Sequence, residues 1–176
     1  MKRFFVLAVA AAFLMAGPAF GADGKIGYVD LQKALNLSQA GKEAKEKIAG
    51  KVKEYEGTVD SRQKEIKKLK EELEKQAVLL SEDARAAKER DYQQKLKEFQ
   101  RFTKDIQEEL QQKDADFTRQ ILEKLFNVLK DLGKKEGYAM VLEKTESSVL
   151  YADDSVDLTD QLIKAYDAQY QKEKGN

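Results

Sequence analysis

Between about Ser38 and about Leu132, apolar residues recur in steps of three and four against a background of Lys, Glu and Gln, and no proline breaks the run. Val52, Val59, Ile66, Leu73 and Leu80 fall seven apart, alternating with Ile48, Tyr55, Arg62, Leu69 and Gln76. A seam repeating every 3.5 residues keeps facing a partner helix and winds about it left-handedly. Arg62 and Gln76 put polar groups into that seam, which fixes register at some cost in stability.

The pattern changes across Gln76 to Asp83. Ser81 is placed to cap a new helix by accepting from an early backbone N–H, and Glu82 and Asp83 set negative charge against the positive end of its dipole. Leu96, Phe99, Ile106, Leu110 and Phe117 then resume the seam, and Ile121, Leu125, Val128 and Leu132 follow after a stutter. Two such helices predict an antiparallel coiled-coil hairpin with its tip near residues 77–83. At 1.5 Å per residue the outbound arm is roughly 60 Å long and the return arm roughly 75 Å. Leu122, Phe126 and Leu129 widen the apolar face at the base of the return helix, which predicts that this base packs into a body. Leu132-Gly133 reads as the helix stop.

The flanking segments carry more β-branched and aromatic residues. Lys25–Val29, Tyr138–Leu142 and Val149–Ala152 read as three short strands, with Lys144–Ser148 as the turn between the last two. Asp30 is placed to cap a turn through Leu31, Ala34 and Leu35. A closing helix, opened by Asp157 or Thr159, lines Leu162, Ile163, Tyr166 and Tyr170 along one side. The expected fold is α+β, mostly α. A β-rich body (residues 22–37 and 133–176) carries a protruding arm (residues 38–132). Roughly sixty residues make a marginal core, and a small sheet leaves edges to cover, so the body is expected to self-associate.

The N-terminus changes where this architecture is expected to work. Lys2 and Arg3, the apolar run Phe4–Ala16 and Ala19-Phe20-Gly21 have the layout of a cleavable export signal over residues 1–21. The apolar run is too short for a bilayer of about 30 Å. A mature chain beginning near Ala22 in the periplasm is predicted.

The sequence has no Cys and no His. The first absence removes disulfides and a lipid-modified Cys, and the second removes the usual general base and metal ligand. Charged residues make up 36% of the chain and sum to zero; without the signal, 30 basic face 32 acidic residues, a charge of −2. Such an even mixture gives no global field for nucleic acid or anionic lipid.

Gly41-Lys42-Glu43 lacks the upstream glycine and the Ser or Thr of a phosphate loop, and reads as a helix start. Asp153-Asp154-Ser155-Val156-Asp157 lacks EF-hand spacing, and reads as a turn followed by a cap. No catalytic residue, cofactor or metal site is assigned, and no enzyme is predicted.

Candidate contact residues are apolar groups on the arm. Val78 and Leu79 fall outside the seam near the tip, and Phe102 falls beside the stretch marked by Phe99 and Ile106. Val78, Leu79, Phe99 and Phe102 are therefore the expected contacts for another apolar surface.

Taken in order, the signal, Ile26-Gly27-Tyr28-Val29-Asp30-Leu31-Gln32-Lys33-Ala34-Leu35, Ala40-Gly41-Lys42, the hairpin, Tyr138–Leu142, Val149–Ala152, Asp157-Leu158-Thr159 and the closing helix resemble the Skp/OmpH family of periplasmic chaperones. The resemblance implies a homotrimer whose small β bodies associate into one barrel-like assembly, from which three hairpins surround a cavity. It also implies that unfolded outer-membrane β-barrel proteins are held there without ATP. Binding selective for unfolded chains acts by mass action, and many weak contacts from several arms supply avidity. The best-known members are strongly basic, whereas this chain is nearly neutral, so no residue is assigned to lipopolysaccharide or membrane contact. The alternative reading is an envelope adaptor whose hairpin docks one folded partner.

Overall fold

The computed structural model describes residues 24–76 and 79–175, so the export signal and Val78 lie outside the described residues. The elements in order are β1 (Lys25–Val29), α1 (Leu31–Leu37), α2 (Gln39–Gln76), α3 (Glu82–Glu136), β2 (Tyr138–Glu143), a 3-10 turn (Asp154–Val156) and α4 (Thr159–Lys174). With 38 and 55 residues, α2 and α3 are about 57 Å and about 83 Å long.

β1 and β2 lie side by side in parallel, with Ile26 opposite Met140 and Val29 opposite Glu143. Parallel neighbours cannot be joined by a tight turn and need a crossover. Here the crossover contains the whole α2–α3 hairpin. On the other side of β1, Tyr28 bridges to Asp157, and the Leu158 N–H donates to the Tyr28 carbonyl at 2.9 Å. β1 is thus flanked on both sides, while among the described residues β2 is paired with β1 alone.

The body core joins β1, the base of α3 and the first half of α4. Val29, Ala34, Leu125, Leu158, Leu162 and Tyr166 are buried together. Burial pushes the Tyr166 hydroxyl up to about 12. Short polar links fix the connections around this core. Asp30 caps α1 by accepting from the Lys33 N–H at 2.6 Å, and its own N–H donates to Thr159 Oγ1 at 2.9 Å. Asp153 accepts from the Ser155 N–H and Asp157 from the Thr159 N–H, each at 2.8 Å, which makes the acidic stretch a capped turn.

Gly41 has a specific steric role. A Cβ there would lie 1.8 Å from the Leu35 carbonyl oxygen, so only glycine lets the start of α2 pass the end of α1.

Two expectations are corrected. Val149–Ala152 is not a strand: among the described residues no segment pairs with it, and Leu150 and Tyr151 are 99% and 87% exposed. The turn before it ends at Ser148, whose φ of 51° is left-handed, and Glu143 anchors that turn by accepting from the Thr145 and Glu146 N–H groups at 2.6 Å. The stop of α3 is also not at Gly133, which is buried inside the helix. Gly137 ends it in the left-handed region at φ 76°, its N–H bonded back to Gly133 and Lys134, and β2 begins at the next residue.

Candidate functional site

The arm is built as its heptads dictate except at Val52, a seam position that is left 38% exposed. Ile48, Tyr55, Val59, Arg62, Ile66, Leu69, Leu73 and Gln76 are all half-buried along one stripe of α2, and the residues between them are mostly exposed. From α3, Leu96, Phe99, Ile106, Leu110 and Phe117 answer them. Among the described residues, none between 45 and 120 is fully buried. Two helices alone cover only one side of each other's seam, so the coiled coil is a thin contact rather than a core.

Polar links across the arm hold its register. The Tyr55 hydroxyl donates to Glu109 at 2.6 Å, Lys95 pairs with Glu65 at 3.0 Å, and Lys88 pairs with Glu72 at 2.9 Å. Positions ascending in α2 meet positions descending in α3, as antiparallel pairing demands. The hydrogen bond from Tyr55 holds the Glu109 carboxyl below its ordinary range, and the Lys88 ammonium does the same for Glu72. Exposed pairs of this kind are largely screened by solvent, so they align the helices more than they stabilise them.

Arg62, the charged residue in the seam, lies over the Phe102 ring with its guanidinium carbon 4.2 Å from the centroid. Tyr55 meets the same ring edge-on, with centroids 6.3 Å apart at 84°. A cation over an aromatic face is attracted by the ring quadrupole, which accounts for an arginine at a seam position.

The candidate contact residues are not brought together. Leu79 stands at the tip and is 85% exposed. Phe99 and Phe102 are half-buried in the contact between the helices, Phe102 between Tyr55 and Arg62. Val52, Leu79 and, at the base, Phe126 are the large apolar side chains left exposed along the described arm.

Other exposed apolar groups belong to the body, where sequence reasoning did not single them out as contacts. Ile26 and Met140 lie opposite each other on the strand pair, and Leu150 and Tyr151 follow the turn. The signal available was the placement of Leu150 and Tyr151 in a strand with no partner. Phe126, expected to pack into the body with Leu122 and Leu129, is about half exposed, whereas the latter two pack on the core.

The site offers surface rather than chemistry. No group of three or more potential metal-ligating side chains lies together among the described residues. The described clefts are small and line the seam and the root of the arm. No described helix is long and apolar enough to cross a membrane.

With this geometry in hand, similarity decides the family. The model of the family described as "Outer membrane protein (OmpH-like)" matches residues 25–166, from the first residue of β1 into α4. The chain belongs to the OmpH-like family. A Skp-like protein of Pseudomonas aeruginosa is 27% identical over 164 residues, covering 93% of this OmpH-like chain and 96% of the relative. An uncharacterized protein of Aquifex aeolicus is 28% identical over 167 residues, covering 95% and 97%. Among solved structures, the fold matches the crystal structure of an OmpH-like outer membrane chaperone from Caulobacter crescentus at a TM-score of 0.76 and 17% identity, over 87% of this chain and 88% of that one. Membership supports a chaperone role for the OmpH-like chain.

Proposed function

We propose that this chain is an ATP-independent periplasmic holdase that binds unfolded outer-membrane β-barrel proteins between the arms of a homotrimer and keeps them from aggregating. The observation that carries the reading is the match of the OmpH-like family model across both arm helices and most of the body. The architecture agrees with it: an arm about 57 Å long on its shorter side gives reach without a deep pocket, which suits clients with no fixed shape.

The body supports assembly. Exposed Ile26, Met140, Leu150 and Tyr151 and the outer edge of β2 are features that monomeric proteins usually cover. A second copy of the chain supplies both the apolar surface and the strand edge. Replacing Leu150 and Tyr151 by Ser is expected to shift sedimentation from trimer to monomer, and an unshifted trimer removes this patch from the interface.

The function is tested by diluting a urea-unfolded outer-membrane porin into buffer without nucleotide. Light scattering is expected to fall to near baseline at one trimer per porin. Scattering equal to that of porin alone overturns the proposal. Capture of one folded envelope protein in place of unfolded porin would identify an adaptor.

A further inference from the structure

α4 changes character along its length. Its first half belongs to the body, where Leu162 and Tyr166 are buried with Val29 and Leu125. Past Tyr166, apart from the Tyr170 ring packed on the core, its links to α2 and α3 are polar, and they reach the roots of both arm helices. The Tyr170 hydroxyl donates to Glu43 of α2 at 2.8 Å, and the Lys174 ammonium donates to both oxygens of the same carboxylate at 2.7 Å. Gln39 Nε2 donates to Glu43 Oε1 at 3.1 Å, and the Gln39 N–H donates to Asp167 at 2.8 Å. On the other side, Lys124 of α3 is paired with Glu173.

We propose that the last two turns of α4 are a strap that fixes the angle between the arm and the body. Glu43 is the buckle, accepting from three side chains that belong to two helices.

Two further observations support the strap. A cleft of about 120 Å³ lies beneath it, among Ala44, Phe117, Ile121, Tyr166 and Tyr170, so packing between strap and arm root is incomplete. Deeper in, the root is packed by the apolar core; past the gap, the last turns of α4 reach it through directional bonds. The hydrogen bond from Lys174, followed by that from Tyr170, holds the Glu43 carboxyl down at about 2, so the buckle stays charged at any periplasmic pH.

The proposal concerns one chain and does not depend on client binding. The natural sequence contains no Cys, so a spin-label pair at Lys97 on the arm and Ser155 on the body is introduced without background. Labelled chains are diluted with unlabelled ones so that each distance is measured within a single chain. Glu43→Ala, and separately Tyr170→Phe with Lys174→Met, cut the strap while leaving ring, stem and helix propensity in place. The width of the distance distribution is expected to increase about twofold in both, with the sheet and α3 unchanged by circular dichroism.

A third variant, Lys134→Met, removes an exposed Lys of α3 that lies outside the strap and is expected to leave the width unchanged. An unchanged width in both strap variants overturns the proposal, as does equal broadening in the Lys134 variant. Porin aggregation measured on the same samples distinguishes the two claims: broadened arms with capture retained leave both standing, and broadened arms with a wild-type protein that captures nothing overturn the holdase alone.

Discussion

The outer arm and the arm root are made from the same two helices, yet they are held together by different physics. At the root, Ala40 and Ala44 of α2 and Ile121, Leu125 and Val128 of α3 are buried against α4. Farther out, seam residues are only half-buried and the helices are kept in step by Tyr55–Glu109, Glu65–Lys95 and Glu72–Lys88. Buried area supplies most stabilisation, so the root is expected to melt with the body and the outer arm to open below it. On the proposed function, the surface offered to clients lies in the less stable region.

The comparison is broken most severely at Leu125, which is fully buried. Leu125→Ala is expected to cost about 3 kcal/mol in denaturant unfolding and to loosen body and arm together. If only arm amides lose protection, the root is not part of the body core. Ile66→Ala, in the half-buried outer seam, is expected to cost about 1 kcal/mol, with faster hydrogen exchange confined to α2 and α3 beyond the root. Global loss of protection would mean that the arm and body unfold as one unit. At the exposed tip, Leu79→Ser is expected to leave stability unchanged and to weaken capture of unfolded porin about twofold, since one contact among many is lost. Unchanged affinity removes Leu79 from the client surface.

The smallest effect is in pH. The Glu43 carboxyl is lowered from 4.5 to about 2 in the folded chain, so its contribution is complete above the unfolded value and is lost as pH falls through the folded one. Protection of α4 amides past Tyr166 is therefore expected to hold from pH 7 to pH 5 and to decline between about pH 4 and about pH 2. A decline that is complete by pH 5 would show that Glu43 is not the group involved.

Much of this architecture is legible in the sequence because it is local. Heptads at Val59, Ile66 and Leu73 report the face of α2 that meets α3, and Ser81 and Asp30 announce their helices by capping chemistry that acts within three residues. The Gly133 stop failed because a glycine is a frequent but not obligatory end. The helix ends where Gly137 takes a left-handed φ before β2, and Gly133 is carried inside as an ordinary turn. The strand at Val149–Ala152 failed for a different reason: its residues suit an extended chain, but a strand needs a neighbour and the described residues supply none there.

Phe102 shows the limit of counting in sevens. Seam positions on α3 shift near Phe99 to Ile106, and the ring turns inward because Arg62 and Tyr55 occupy the facing layer. The bonds between α4 and the root of α2 span more than 120 residues and have no periodic signature.

α3 runs unbroken from beside the tip to the edge of the sheet and passes into β2 through a single glycine. It is therefore a lever with its fulcrum in the core. A rotation of about 10° at the root would carry a tip roughly 60 Å away through roughly 10 Å. In the proposed trimer, slight differences in how the bodies meet would be magnified several-fold at the far end, so the aperture between arms would be governed by packing a long way from anything that passes through it.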